Sequence, residues 1–367
     1  MPETRTPLER PRVIVTRHLV PEVEARMREL FDVVLNESDV PLTREQLAAA
    51  MQDCDVLVPT VTDRIDAELI AGASPRLGLI ANFGAGTEHL DLAAAAARKI
   101  LVTNTPGVFT DDTADLAMAA IIGVPRRIRE GTALVRRGEW TGWAPSGLLG
   151  RKLAGKVLGI IGMGRIGQAV AHRARAFGLE IAYYNRKPLP EALERMLGAR
   201  YVADVDALMA EADILTLHCP LTEETRHLVD ARRIALMKPG SSIINTARGE
   251  MIDTDALVAA LEAGHLAGAG LDVYPDEPNV DARLIAHPNV MTLPHIAQRR
   301  DARIGLCGLG RVYGVGQAGV PAGQPRVVID PRRHPRRDLA IGALPQRAER
   351  TARADKREIA DLEPLRD

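Results

Sequence analysis

Four groups of residues have the types and spacing to do chemistry. In KVLGIIGMGRIGQAVA, Gly162, Gly164 and Gly167 stand in G-x-G-x-x-G spacing between an apolar run and a helical pattern. In that context the first glycine allows a tight turn, the second lets backbone approach a pyrophosphate, and the third lets the helix pack on the strand. Further along, Arg248 in INTARGEMID, Glu277 in GLDVYPDEP and His295 in MTLPHIA each follow a strand-like run, the end at which open α/β sheets bind ligands. An imidazole can give a proton to a carbonyl oxygen that gains charge as hydride arrives, and a carboxylate on its other nitrogen fixes the tautomer. A guanidinium can grip a substrate carboxylate and polarise the adjacent carbonyl. Together the three would reduce a 2-oxo acid; taken singly, His295 also reads as a loop histidine and Arg248 or Glu277 as solvated surface.

The fourth group is NFGAGTEHLDL at 82–92, where consecutive N–H groups at Gly84, Ala85 and Gly86 can form a concavity for a small carboxylate. A plain strand-to-helix turn explains the same residues equally well, and His89 reads as helix surface. About eighteen residues past the last glycine, where an NAD site usually offers a carboxylate to the ribose, the chain has Asn185, Arg186 and Lys187. Arg186 can pair with a 2′-phosphate through two parallel hydrogen bonds, so NADP is favoured over NAD. The alternative is a solvated basic strand end.

The elements that must position these residues alternate between strand and helix. RVIVTR, FDVVLN, CDVLVPT, LGLIANFG and ILVTNTPG are β-branched runs separated by single helical patterns, and so imply a parallel sheet with both faces covered. A long helical pattern from Asp111 to about Arg129 follows, then a loop carrying Trp140 and Trp143. The alternation restarts at KVLGIIG and runs through EIAYYNR, ADILTLH, SSIINTA, AGAGLDVY and NVMTLPH. The expected class is α/β, with two doubly wound parallel-sheet domains: a flavodoxin-like substrate domain over 1–106 and a Rossmann dinucleotide domain over 107–294. Residues 295–367 hold His295 and a tail.

Composition agrees. The 367 residues are enough for two domains, and 46% apolar with 26% charged is ordinary for a soluble globular protein. No apolar run approaches a membrane span and no signal peptide is readable, which points to the cytoplasm. Cys54, Cys219 and Cys307 are odd in number and far apart, so no disulfide framework or metal site is expected. The last seventy residues differ in kind, with 14 Arg and one Lys against six Asp and three Glu, and clusters such as DPRRHPRRD. Without aromatic interleaving or a folded module, this does not make a nucleic-acid arm.

As an ordered set, NFGAGTEHLDL, NTPGVFTDDTADLAMA, RRGEWTGWAP, LAGKVLGIIGMGRIGQAVA, LHCPLTEETRHLVD, INTARGEMID, GLDVYPDEP and LPHIA closely resemble the D-isomer-specific 2-hydroxyacid dehydrogenases, glyoxylate/hydroxypyruvate reductase group. The resemblance covers about Arg12 to Ala297. It implies reversible hydride transfer between NAD(P)H and a small 2-oxo acid in a cleft between the two domains. His295 would be the general acid/base, Glu277 its orienting partner, Arg248 the substrate anchor, and the backbone of Gly84 to Gly86 the carboxylate holder. Asp272 would meet the nicotinamide carboxamide. Thr113, Arg165, Ile166, Cys219, Pro220 and Thr225 would border the cofactor, as would Thr246 and Ala247. The arm bearing Trp140 and Trp143 sits where family members pair, which implies a homodimer.

After Ala297 the family pattern stops. Instead of a helix returning to the first domain, the chain reads QRRDARIGLCGLGRVYG, too rich in glycine for a stable helix. GLGRVYG lacks a preceding buried strand and a following helix, so it is not a second nucleotide loop. An abrupt switch to Arg, Gly and Pro is what an out-of-frame reading of a GC-rich gene produces. Two other readings follow: an inactive product with a frameshifted C-terminus, or a nucleotide-sensing binding protein resembling the C-terminal binding protein co-repressors.

Overall fold

A computed structural model describes residues 10–297 and the backbone of 311–313. Five short strands, β1 (Arg12–Val15), β2 (Asp32–Val34), β3 (Val56–Val58), β4 (Leu79–Ala81) and β5 (Leu101–Asn104), form the first sheet. All five are parallel in the order 2-1-3-4-5, the flavodoxin-like arrangement. Helices between them start where the sequence supplies caps. Thr43 forms a reciprocal capping box with Gln46, and Asp66 and Asp91 accept from the N–H groups of Leu69 and Ala94. One face of the sheet packs on Met51, Leu57, Ile65, Ile70 and Ile80; the other packs on Val13, Val15, Leu19 and Met27.

The second sheet holds seven parallel strands: β6 (Val157–Ile161), β7 (Glu180–Tyr184), β8 (Ala199–Tyr201), β9 (Ile214–Leu217), β10 (Ser241–Asn245), β11 (Leu266–Leu271) and β12 (Val290–Thr292). Their order is 8-7-6-9-10-11-12, a Rossmann sheet extended by one strand. Its central strands are buried on both faces, as near-continuous apolar runs such as VLGII and ILTL require. Two apolar clusters flank it, one around Leu208, Leu217 and Leu257, the other around Ile121, Val170 and Tyr183. Both expected parallel-sheet domains are therefore present.

The long helix expected from Asp111 to Arg129 is two helices, Thr110–Gly123 and Ile128–Arg136. Pro125 has no N–H to continue the ladder, and Arg127 adopts a left-handed φ of 55°. The first of the two packs along the second domain, where Arg173 pairs with Asp111 and Asp115 at 2.9 and 2.6 Å. Among the described residues no helix is long and apolar enough to cross a membrane.

Of the segment after Ala297, the backbone of Arg311–Tyr313 (β13) pairs antiparallel with β5 at the edge of the first sheet. The rest of the expected irregular tail, Cys307 included, lies outside the described residues, as does the question of its reading frame.

Candidate active site

Apart from Thr113, which lies in the helix Thr110–Gly123, the singled-out residues of the second domain follow the C-terminal ends of its parallel strands. Gly162 follows β6, Asn185 follows β7, Cys219 lies just past β9, Arg248 past β10, Asp272 and Glu277 past β11, and His295 past β12. In the first domain, the loop 82–86 leaves β4 in the same sense. The parallel topology alone thus collects at one edge groups that lie far apart in sequence.

His295 and Glu277 are joined directly. Nδ1 of His295 lies 2.7 Å from Glu277 Oε2, while Glu277 Oε1 accepts the Tyr274 N–H at 3.0 Å. Because the carboxylate can only accept, Nδ1 carries the hydrogen and Nε2 is left for proton exchange. Burial works to raise the Glu277 carboxyl, but the His295 and Tyr274 hydrogen bonds outweigh it and hold it below its usual range. His295 itself sits at a left-handed φ of 51°. That turn is fixed by Asp272, whose two carboxylate oxygens accept from Ile296 N (2.9 Å) and Ala297 N (2.8 Å). Asp272 is buried, and that burial carries its carboxyl above the ordinary value in spite of the two N–H donors. Tyr274, also buried, joins the ends of β11 and β12, its hydroxyl donating to Leu271 O at 3.1 Å and accepting the Leu293 N–H at 3.1 Å.

Arg248 reaches across to the first domain. Its Nη2 lies 3.2 Å from Glu88 Oε2 and its Nη1 donates to Ala247 O at 2.6 Å. Gly86 abuts the same guanidinium so closely that an added Cβ would stand 1.9 Å from Nη2. Of the three anticipated anion-binding amides, Gly84 N–H is committed to Asn82 O at 3.1 Å. Those of Ala85 and Gly86 make no hydrogen bond among the described residues. His89 is not helix surface: it precedes the helix at Leu92–Ala97 and its Nε2 meets Asn82 Oδ1 at 2.9 Å. Burial pulls its pKa down to about 4, against the pull of Glu88 and Asp63, so the ring is neutral.

The glycine loop has the shape a dinucleotide needs. A Cβ on Gly162, at φ 97°, would lie 2.5 Å from Cys219 N, and one on Gly167 would lie 2.2 Å from Gly162 O. Above Gly164 there is open space, and the helix Arg165–Arg175, with Ile166 in its first turn, begins immediately after it. Thr246 Oγ1 is buried with no hydrogen-bond partner among the described residues, which suits a polar group arriving from outside the protein. Thr225 Oγ1 is occupied locally, donating to Pro220 O at 2.9 Å. The Thr113 hydroxyl donates to Ala297 O at 3.2 Å, which ties the helix Thr110–Gly123 to the His295 turn. The Cys219 thiol is pushed up to about 11 by burial, so it is a packing group rather than a nucleophile. Arg186 is exposed and makes no ion pair or hydrogen bond among the described residues, although Cys219 and Glu224 both feel its charge. Asn185 spans the turn to Lys187 O at 3.2 Å. No group of side chains with metal-ligating potential occurs among the described residues.

Three residues of this edge escape a motif reading: Glu88, Asn82 and Asn104. The two asparagines carried a signal, since each closes one of two adjacent apolar strands with a polar side chain. Glu88 carried none, because its partner lies 160 positions away.

Comparison with known proteins agrees with this geometry. Residues 118–297 match the D-isomer specific 2-hydroxyacid dehydrogenase, NAD binding domain. A glyoxylate reductase of Thermococcus litoralis is 45% identical over 306 residues, covering 82% of this chain and 91% of that protein. A D-isomer specific 2-hydroxyacid dehydrogenase from Polaromonas, known from its crystal structure, superposes with a TM-score of 0.75 at 40% identity, covering 79% of this chain and 91% of that one. The NADPH-dependent glyoxylate/hydroxypyruvate reductase of Sinorhizobium meliloti, solved with NADP and malonate, has a TM-score of 0.70 at 36% identity, covering 80% of this chain and 88% of that one. With that identity running over four-fifths of its length and both parallel sheets in place, the chain belongs to the D-isomer-specific 2-hydroxyacid dehydrogenase family.

Proposed function

We propose that this protein is an NAD(P)H-dependent reductase of small 2-oxo acids of the glyoxylate and hydroxypyruvate class, forming the D-2-hydroxy acid. The observation that carries the reading is the 2.7 Å His295–Glu277 pair held at the strand ends beside Arg248. Residues 1–106 act as the substrate domain and 107–294 as the dinucleotide domain, with the cleft between them as the site. Gly162, Gly164 and Gly167 hold the pyrophosphate against the first turn at Arg165 and Ile166. Thr113, Cys219, Pro220, Thr225, Thr246 and Ala247 would border the cofactor, and Asp272 would meet the nicotinamide carboxamide. The dinucleotide, when bound, supplies the hydride.

The rest of the chemistry belongs to the chain. Arg248 and the backbone N–H groups of Ala85 and Gly86 bind the substrate carboxylate and fix the face presented for reduction, the Gly84 N–H being committed to Asn82 O. His295 Nε2 gives its proton to the carbonyl oxygen as that oxygen gains charge, and Glu277 stabilises the imidazolium and keeps Nδ1–H directed away from substrate. In the reverse direction the same nitrogen removes the hydroxyl proton.

NADP(H) is the preferred dinucleotide in this reading, because Arg186 is exposed, free of partners among the described residues and not matched by an acid at the end of β7. A homodimer is part of the proposal. Trp140 and Trp143 are 59% and 84% exposed on an arm that also exposes Val135 and Leu149, an apolar surface suited to a second copy. Purified protein mixed with NADPH and glyoxylate should lose nicotinamide absorbance with turnover. Cofactor binding without turnover would favour a nucleotide-sensing binding protein, and absence of both would point to an inactive product.

A further inference from the structure

Asn82 and Asn104 close the neighbouring strands β4 and β5, and both are buried, at 2% and 4% exposure. The carboxamide nitrogen of Asn82 donates to Gly86 O at 2.8 Å and to Gly84 O at 3.3 Å. That of Asn104 donates to Ala85 O at 2.6 Å, and Thr105 N adds a second bond to Gly84 O at 2.9 Å. Three consecutive carbonyls are therefore all engaged from one side.

A carbonyl can only accept, so each amide must present its NH2 to the loop, and the Asn82 oxygen must turn the other way. It meets His89 Nε2 at 2.9 Å, which must then carry the hydrogen. The neutral imidazole noted above can supply that donor from Nε2.

In a trans peptide the N–H points opposite to the C=O of the preceding residue. Holding the carbonyls of Gly84, Ala85 and Gly86 toward the asparagines therefore aims the N–H groups of Ala85, Gly86 and Thr87 away from them. None of the three makes a hydrogen bond among the described residues, and it is Gly86 that packs on the Arg248 guanidinium.

We propose that Asn82 and Asn104 are positioning residues for the substrate carboxylate, aiming the Ala85 and Gly86 N–H groups to receive it beside Arg248, with His89 fixing the Asn82 amide in its donating orientation. The inference rests on the 2-oxo acid reduction proposed above and assigns the mould that shapes its anion site. Donors fixed before substrate arrives avoid the ordering cost that a mobile loop would incur.

Asn82→Asp is nearly isosteric, keeps the acceptor for His89 and removes both donors to the loop. With the folded full-length protein, KM for glyoxylate should rise by about ten-fold or more, as expected when buried acceptors lose their donors and face a like charge. The kcat at saturating glyoxylate and KM for NADPH should stay within about two-fold, since neither involves the loop amides directly. Inhibition by oxamate, a non-reducible analogue, should weaken in parallel. Asn104→Asp provides the second variant, with the same split expected.

Unchanged KM and unchanged oxamate inhibition in a folded variant would overturn the assignment. So would a fall in kcat alone, or loss of folding in both variants, which would make the asparagines purely structural. Failure of the wild-type protein to reduce glyoxylate would instead sink the proposed function, so the two are separable.

Discussion

Arg248, just past β10 of the second sheet, and Glu88, in the loop region after β4 of the first, form an ion pair of 3.2 Å that links the two sheets. In the proposed reading, in which Arg248 anchors the substrate, this carboxylate competes with the substrate carboxylate for the same guanidinium. Glu88→Gln should lower KM for glyoxylate by several-fold, measured by initial rates. The change in stability should be no more than about 1 kcal/mol, because the pair is partly solvated. Arg248→Lys keeps the charge but loses the planar fork, and kcat/KM should fall by about 10- to 100-fold. An unchanged kcat/KM there would exclude Arg248 as the anchor.

For the proton-transfer pair, His295→Ala should reduce kcat by about 100- to 10,000-fold, the range general acid–base groups supply. Glu277→Gln should cost less, because the imidazole stays in place and loses only its charge partner. The pH dependence of stability follows from the lowered Glu277 carboxyl. A carboxyl depressed by folding contributes stability above its unfolded value and loses it as pH falls through the folded one. The melting temperatures of wild type and Glu277→Gln should therefore differ at neutral pH and converge in strong acid.

Cofactor choice is testable at a single side chain. Arg186→Ala should raise KM for NADPH by about ten-fold while leaving KM for NADH nearly unchanged, since only the 2′-phosphate distinguishes the two. Equal effects on both would assign Arg186 to the strand-end surface.

His89 makes the fold acid-sensitive. Its folded pKa of about 4, against an ordinary 6.5, means that the unfolded chain binds more protons between those values. Stability should therefore fall as pH drops from about 6.5 to about 4, by roughly 2–3 kcal/mol for this group. Buried His218, pulled to about 3, adds a contribution of the same sign. His89→Gln retains a donor for Asn82 without titrating and should flatten the slope of melting temperature against pH across that window.

How much of this could be read from the chain depends on the range of each interaction. The second sheet was legible because its central strands are buried and so appear as apolar runs, with the glycine spacing between the first of them and its helix. The gathering of Arg248, Glu277 and His295 was legible because parallel topology puts strand ends on one edge, so position along each strand served as a proxy for position in space. The anion loop was harder: the sequence supplied its glycines, but which N–H groups are free depends on Asn104, eighteen residues beyond the last of them. His89 was misread because a histidine two residues before a capping Asp91 looks solvated until the Asn82 partner is known. The helix break at Arg127 followed from Pro125, which a hydrophobic pattern alone passes over.

The clamp on the residues after His295 has a consequence for the sequence beyond it. Asp272, Tyr274 and Thr113, all upstream, hold Leu293, Ile296 and Ala297 by side-chain hydrogen bonds, and the last clamped residue directly precedes the point where the sequence changes character. Among the described residues, the side-chain hydrogen bonds that seat the residues around the histidine all come from upstream of it. Replacement of the sequence after Gln298 should therefore leave the 2.7 Å His295–Glu277 contact in place.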